Sequence, residues 1–479
     1  MPDARNALLA SLDVTGIVNG TELRRTRVWP EITAPFCILF ARNTAPPPGA
    51  GFRFTSPHLE GPLNASGDWR VDAANAEVLP NRDVRARPEL LKILFRGSRL
   101  DLELYDRIAS KGLPTLRDYW AELFGAEKGR PRNMGNGYQR LRKSSRIRKG
   151  EEEPGASAAY LHHLPELPKG ADLSLLLDVS PFDRFSANRI HDPRPISLFT
   201  GPLLLVAESP PVRHGRIKAT ISLGDVVFNQ SFHGYSTHNH PDDSDLAKYL
   251  SLILCSRIAL WHALITSGRF GFEREVVEKF VLDEIPLPRF ECLGSQDRLH
   301  LSRLFDTLAQ RETDAGWAAV DLWVAKLYGL DADDLAVIED TLRFRLPFAA
   351  NVKAAQEPAT HLELGGFVDR LARDLGPWGI RYGREFTVKI LETPLLSPWR
   401  FVALELAGSL QSGNLAWTEV IAAADQLSAT EIIYASQDAN RLVVGRLNQA
   451  RYWSESQARL VARRLVWDHM PFLSGTTPR

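Results

Sequence analysis

Apolar positions near the N-terminus follow two spacings, one typical of strands and the other of helices. Short β-rich apolar runs at 14–18 and 35–40 predict two strands of an α/β sheet, separated by a polar stretch. Farther along, apolar residues at i, i+3 and i+4 predict an amphipathic helix that ends near Gly125. The positions that make this helical stripe are Leu116, Tyr119, Trp120, Leu123 and Phe124.

The middle of the chain changes from a strand pattern to a helical one. Apolar runs broken by Pro and Gly from 172 to 232 indicate strands and turns. The longest apolar run, 246–266, predicts one buried helix over 244–266, capped by Asp243 or Ser244. This run contains Lys248 and Arg257, and a charge near a bilayer centre is costly, so we expect a core helix and not a membrane span.

The C-terminal third combines helices with a few strands. Helical stripes fill 297–345, where Gly329 ends one helix and Asp331 is placed to cap the next. Strands are predicted at 431–435 and 441–447. Ser454, with Gln457 three residues later, has the spacing of a helix start, which predicts a final helix.

Composition limits the class of protein. At 479 residues, with 44% apolar residues and no net charge, the chain is long enough for two to four globular domains. Cys37, Cys255 and Cys292 lie far apart with no CxxC spacing, so no disulfide framework or thiolate zinc site is expected. This cysteine usage favours a reducing cytoplasm, and no secretory signal pattern is present.

Charge is concentrated in one segment. Residues 129–150 hold eight basic side chains and no acidic one. Clustered cations neutralise phosphates, glycines allow a backbone to approach closely, and Asn, Gln and Arg read base edges, so the segment predicts nucleic-acid contact. The alternative is a solvated charge run that neutralises the neighbouring acidic 151–153. The candidate DNA-binding residues are Arg130, Arg132, Asn136, Tyr138, Gln139, Arg140, Arg142, Lys143, Arg146, Arg148 and Lys149.

The order of these segments resembles part of a known enzyme family. The string "NMGNGYQ" after an amphipathic helix, followed by a strand-rich stretch and the helical "YLSLILCSRIALWHALITSGRFG" to "EIPLP" unit, resembles the target recognition domain of adenine-N6 DNA methyltransferases from restriction-modification systems. On either side, "TRVWPEITAPFCILFARN" looks like the last strands of the methyltransferase domain, and "DLWVAKLYGLDADDLAVIEDTLRF" looks like the helical segment that follows recognition. The tail "LVVGRLNQARYWSESQARLVARRL" is similar to the family's C-terminal module.

The resemblance implies a multidomain α+β fold with five segments. These are a remnant of a methyltransferase-like α/β sheet at 1–60, a connecting helical segment at 61–125, a mixed α/β target recognition domain at 126–292, a helical segment at 293–350 and a small α/β C-terminal module at 351–479. It also implies a role in DNA recognition for restriction-modification or phage defence.

The family's catalytic motifs do not occur in the chain. No Asn/Asp-Pro-Pro-aromatic loop for a flipped adenine is present, and no glycine turn for S-adenosylmethionine; the nearest strings are "SPPV" at 209–212 and "LFTGPL" at 198–203. We therefore expect no catalytic or cofactor residues here, and expect a partner chain to supply S-adenosylmethionine, the catalytic residues and the missing strands of the sheet. A non-catalytic scaffold subunit of a defence complex and a split-gene remnant remain alternatives.

Two other groups of residues have ordinary interpretations. His233, His238 and His240 stand near Asp242 in "FHGYSTHNHPDD", but a polar loop before a helix is common, and no metal is expected there. The acidic "DLELYDR" at 101–107 lacks the nearby lysine of a nuclease site and is interpreted as helix surface.

Overall fold

The structure, a computed structural model, describes residues 2–71, 75–141, 155–168, 173–208, 215–268, 270, 277–393, 397–406, 429–435 and 441–475. The chain divides into two compact units. The split unit is Met1–Glu103 with Glu339–Arg479, and the central unit is Leu104–Ile338. Helices and several small sheets occur together, which confirms the coarse prediction of a mixed α/β chain with more than one unit. The predicted recognition segment 126–292 lies within the central unit.

The N-terminal part of the split unit is built on a four-stranded mixed sheet in the order β2-β1-β3-β4. Its elements are α1 (Pro2–Ser11), β1 (Asp13–Asn19), β2 (Cys37–Arg42), β3 (Gly51–Thr55), α2 (Gly61–Ser66), β4 (Ala76–Pro80), α3 (Asn81–Ala86), α4 (Leu90–Arg96) and α5 (Arg99–Ala109). β1 pairs antiparallel with β2 and parallel with β3. Both predicted N-terminal strands are confirmed, and β2 lies at an edge of the sheet.

One prediction for this region is wrong. Asp101, at the start of α5, is 1% exposed and does not lie on the helix surface. Its carboxylate accepts hydrogen bonds from the Ser98 backbone N–H at 2.6 Å and from the Thr341 hydroxyl at 2.6 Å. Thr341 is distant from Asp101 in the sequence, so the local spacing of residues does not predict that Asp101 is buried.

The central unit is built around a four-stranded antiparallel sheet in the order β11-β10-β12-β7. Its elements are α6 (Leu116–Phe124), β5 (Ala126–Glu127), β6 (Arg130–Pro131), β7 (Met134–Asn136), β8 (Ala156–Ser157), β9 (Arg189–Ile190), β10 (Leu203–Ala207), β11 (Ala219–Ser222), β12 (Phe232–Ser236), α7 (Asp243–Cys255), α8 (Arg257–Thr266), α9 (Lys279–Asp283), α10 (Ser295–Gln310) and α11 (Asp314–Leu327). α7 packs against β10 and β11. α6 has the predicted bounds.

The predicted single helix at 244–266 is two helices. Ser256 adopts an extended conformation between α7 and α8, and its Oγ accepts a hydrogen bond from the Ala259 backbone N–H at 3.3 Å. The Ser256 side chain caps the start of α8, and the axes of α7 and α8 differ by 58° at this break. A single serine changes the hydrophobicity of the run only slightly. No single helix in the described ranges is long and apolar enough to cross a bilayer, although α7 and α8 together pass that test of length and composition across their bend.

The C-terminal part of the split unit has an antiparallel sheet in the order β13-β14-β16-β15. Its elements, beginning with a helix that starts in the central unit, are α12 (Ala332–Arg345), α13 (Ala349–Gln356), α14 (His361–Tyr382), β13 (Phe386–Leu391), β14 (Trp399–Leu406), β15 (Glu431–Ala435), β16 (Arg441–Leu447), α15 (Glu455–Asp468) and α16 (Met470–Ser474). Phe367, Trp399 and Trp453 are central in its core. The two predicted strands and the Ser454 cap of α15 are confirmed.

Candidate nucleic-acid interface

The described part of the basic segment begins in a tight hairpin directly after α6. β5 and β6 are joined through Lys128 and Gly129, which have φ values of 49° and 74°. Two central residues with positive φ are the mark of a type I′ turn, whose twist matches that of paired strands. Arg117 on α6 donates from Nη2 to the Gly129 carbonyl at 2.9 Å, so this turn is tied to the helix.

Four exposed cations surround this hairpin, and we call them the hairpin cations: Arg117, Lys128, Arg130 and Arg132. Glu127 lies 3.9 Å from the Arg132 guanidinium, but both side chains are more than 60% exposed, so water and salt screen the pair strongly. On the neighbouring helix, Glu122 pairs with Arg289 at 2.6 Å. The hairpin therefore presents more positive than negative charge to solvent.

Gly137, directly after β7, allows the chain to lie close against the segment that contains Phe228. β7 pairs with β12, with Gly135 opposite Gly234 and Asn136 opposite His233. A Cβ on Gly137 would stand 2.1 Å from the Phe228 carbonyl oxygen, so only glycine fits at that position. Glycine in this segment therefore serves a close approach of protein backbones in the described conformation.

Asn136, one of the predicted readers, is half-buried and partly engaged. Its Oδ1 lies 3.1 Å from the His233 Nδ1, and its backbone carbonyl accepts from the Arg194 Nε at 2.9 Å. Burial, with the charge of Lys279, lowers the pKa of His233 to about 4. At neutral pH the ring is therefore uncharged, and its Nδ1–H donates to Asn136 in the tautomer that satisfies this contact.

Tyr138 is a core residue. It is 1% exposed, its ring packs edge-on against Phe185, and its hydroxyl donates to the Glu166 carboxylate at 2.5 Å. Burial and the hydrogen bond to Glu166 raise its pKa to about 12. In this conformation Tyr138 presents no group to a ligand.

Arg140 and Gln139 lie next to this buried tyrosine. Arg140 donates from Nη2 to Glu166 at 3.1 Å, yet 58% of its side chain is exposed. Gln139 is half-buried and forms an isolated antiparallel β-bridge with Asp192 through the backbone. Its backbone carbonyl accepts a hydrogen bond from the His191 N–H at 2.9 Å. Of these two, Arg140 is the more accessible to an anion, but a phosphate there has to compete with Glu166.

The other predicted cations fall outside the described residues: Arg142, Lys143, Arg146, Arg148 and Lys149. Three further cations approach the segment from other parts of the sequence, and no residue spacing predicts them: Arg117, Arg194 and Lys279. Arg194 also pairs with Asp192 at 2.8 Å, and Lys279 pairs with Asp283 at 2.5 Å. Of these three, Arg117 is exposed and the other two are half-buried, so only Arg117 adds to the hairpin cations.

The histidine loop holds its side chains in separate contacts. The His240 Nδ1 accepts from the Asp242 backbone N–H at 3.1 Å, while the Asp242 carboxylate pairs with Arg298 at 2.7 Å. His233 is buried in β12. In the part of the chain that the structure describes, no three His, Cys, Asp or Glu side chains are grouped as a possible metal site.

Comparisons with known proteins add no family assignment, because neither a protein-family model nor a curated protein matches the chain.

Proposed function

We propose that this chain is the DNA-recognition part of an adenine-N6 DNA methyltransferase of a restriction-modification or phage-defence system. The observation that carries the proposal is the group of hairpin cations, which stands at the start of a segment whose sequence continues with six further basic residues from 140 to 149. Three of the cations lie on the hairpin and Arg117 lies on α6, which is bonded to it, so the four stand close together, as contact with a phosphate backbone requires.

Phosphate contacts supply the affinity in this proposal. Each neutralised phosphate on duplex DNA releases counterions, so the logarithm of the association constant falls with the logarithm of salt by about 0.9 per contact. Five contacts from the basic segment give a slope near −4.5 by that relation. Base reading would fall to Asn136 and Gln139, whose side chains are half-buried.

A binding assay with random duplex DNA tests the role of the hairpin. The variant Arg130→Ala/Arg132→Ala removes two exposed cations whose side chains hold no core contacts. We expect its salt slope to be shallower by about 1.8 and its affinity at about 0.1 M salt to fall roughly 10- to 60-fold.

The control for this experiment removes the same charge elsewhere. Arg42→Ala/Arg82→Ala takes away side chains that are 75% and 87% exposed in the split unit. Its affinity and slope should stay within about twofold of the wild-type protein, because non-specific attraction to net charge is weak at this salt. Equal losses in both double variants, or none in either, would reject the hairpin as the DNA contact.

The second part of the proposal is that a partner chain supplies S-adenosylmethionine and the catalytic residues. β2 is an edge strand of the N-terminal sheet, and its Phe40 is 51% exposed. Unpaired apolar edges tend to recruit further strands, which supports a partner at this edge. Copurification of a protein that can be crosslinked to radiolabelled S-adenosylmethionine is the expected result. A purified monomer that binds no such protein would contradict it.

A further inference from the structure

A polar cavity of about 120 Å³ lies within the split unit. None of the residues that line it is one of the hairpin cations. Its wall includes Ser56 and His58 after β3, Arg96 at the end of α4, Arg345 at the end of α12 and Arg451 just before α15. We call it the arginine cavity. Segments separated by almost 400 residues meet here, so the clustering of three guanidinium groups is a product of the fold.

Two of these arginines, Arg345 and Arg451, make no direct ion pair. Arg345 donates from Nη1 to the His58 Nδ1 at 2.7 Å, and Arg451 donates to the backbone carbonyls of Ala355 and Leu59 at 3.1 and 2.8 Å. Among the described residues, neither guanidinium forms an ion pair within 4 Å, although Glu22 and Asp101 act on Arg345 from a greater distance. A partly buried cation without a direct ion pair is costly, and a bound anion is one way to offset that cost.

His58 adds no negative charge to the site. Arginine is always a donor, so the His58 Nδ1 accepts from Arg345 and the ring is neutral. Burial and the charge of Arg345 lower the pKa of His58 to about 4, in agreement with this geometry. The Glu22 carboxylate lies 3.9 Å from the His58 Nδ1. Burial would raise the pKa of Glu22, but His58 and Arg345 hold it below its ordinary value, so Glu22 is charged.

The acids on the cavity wall are already engaged. Asp101 accepts from Ser98 and Thr341 through its two oxygens, and Glu77 pairs with Arg99 at 3.0 Å. The Asp340 Oδ2 accepts the Ser456 backbone N–H at 3.0 Å, and burial raises the pKa of Asp340. These carboxylates therefore make their direct contacts with groups other than Arg345 and Arg451, although Asp101 still attracts Arg345 electrostatically.

The size of the cavity is compatible with an anion. Ser56 is part of the cavity wall, but its Oγ has no accessible surface and no hydrogen-bond partner among the described residues, so the hydroxyl group does not face the cavity in this conformation. One water needs roughly 10–15 Å³ of such space, so the cavity is large enough for several waters or for a group the size of a phosphate.

We propose that the arginine cavity binds the phosphate group of a small molecule, with Arg345 and Arg451 as the charged donors. Arginine suits this role because its planar fork of N–H groups matches the oxygens of a phosphate. The site is separate from the DNA contact proposed above, so either proposal can fail without the other.

Calorimetric titration with inorganic phosphate, at constant ionic strength in chloride, tests the site. We expect one saturable site per chain in the wild-type protein and at least a tenfold loss of affinity in Arg345→Gln and in Arg451→Gln. Arg343→Gln is the matched control, since Arg343 lies on the same helix but is 45% exposed and pairs with Glu363. Its affinity for phosphate should match that of the wild type. Arg130→Ala/Arg132→Ala should also bind phosphate normally, which separates this site from the hairpin cations.

A variant that retains the charge and a titration with a second ligand complete the test. Arg345→Lys retains the charge but not the fork, and we expect intermediate affinity from a variant whose circular dichroism matches the wild type. Titration with adenosine 5′-monophosphate distinguishes a nucleotide, which binds more tightly than the free ion, from inorganic phosphate alone. No saturable binding of either probe to the wild-type protein would overturn the proposal, as would equal affinity in folded Arg345→Lys, Arg451→Gln and Arg343→Gln.

Discussion

Replacing Gly137 by alanine tests the close approach that holds the basic segment on its sheet. The added Cβ would stand 2.1 Å from the Phe228 carbonyl oxygen and 2.5 Å from the Asn229 carbonyl oxygen, whereas ordinary contacts begin at 3.4 Å. Both obstacles are backbone atoms, which cannot rotate away as a side chain does. The two segments must therefore separate by about 1 Å, in a close-packed interior that transmits such strain.

The magnitude follows from the bonds that this separation stretches. Gly137 N–H donates to Phe232 at 3.2 Å, Tyr138 N–H donates to Phe228 at 3.1 Å, and Gln230 N–H donates to Tyr138 at 2.9 Å. Weakening two or three such bonds costs about 0.5–1.5 kcal/mol each, and the overpacking adds about 1–3 kcal/mol. We expect Gly137→Ala to destabilise the central unit by about 3–5 kcal/mol.

Gly135→Ala is the control, two residues earlier in β7. The nearest atom to its added Cβ is the Leu198 Cδ2 at 3.7 Å, an ordinary contact, so its effect should stay within about 1 kcal/mol. Hydrogen exchange followed by mass spectrometry on peptides from β10 and β12 measures the local opening free energy in this unit. Equal protection in the two variants would refute the steric argument.

Two further predictions concern charge. Glu166→Gln removes the carboxylate that pairs with Arg140, which frees Arg140 for a phosphate contact. DNA binding measured by fluorescence anisotropy should therefore tighten two- to threefold, with a salt slope steeper by about 0.9. An unchanged slope would mean that Arg140 does not contact DNA. Burial lowers the pKa of His262 from its ordinary 6.5 to about 4, so the unfolded chain binds the proton first as the pH falls, and stability is lost between those values. By pH 5 the loss from this one group is about 2 kcal/mol, and His262→Phe should flatten the stability profile measured by urea unfolding between pH 7 and 5; an equally steep profile in the variant would contradict the assignment.

Elements with a strong local pattern were predictable from the sequence. α6, β15 and β16 have the bounds that their apolar spacing predicts, and Ser454 caps α15 as its spacing to Gln457 indicates. In each case the signal lies within a few residues, where side-chain periodicity and capping chemistry act directly. The break at Ser256 was missed because one serine hardly alters an apolar run, although its hydroxyl group satisfies a helix end.

The candidate site was predictable only in part, because partners from distant positions decide which polar groups remain accessible. Tyr138 was predicted from the sequence to contact DNA, yet it packs in the core against Phe185 and donates a hydrogen bond to Glu166. Arg117 belongs to the hairpin surface through a single bond to the Gly129 carbonyl, which no spacing rule predicts. The arginine cavity is an extreme case, since it joins residues 58, 345 and 451.

The salt dependence of duplex binding by the wild-type chain is the most direct test of whether the basic segment contacts the DNA backbone. If the basic segment contacts the phosphate backbone, the plot of log association constant against log salt should be linear between about 50 and 200 mM, with a slope near −4.5. A scaffold that does not use DNA would give no measurable binding, or a slope near zero, and either result would contradict the account.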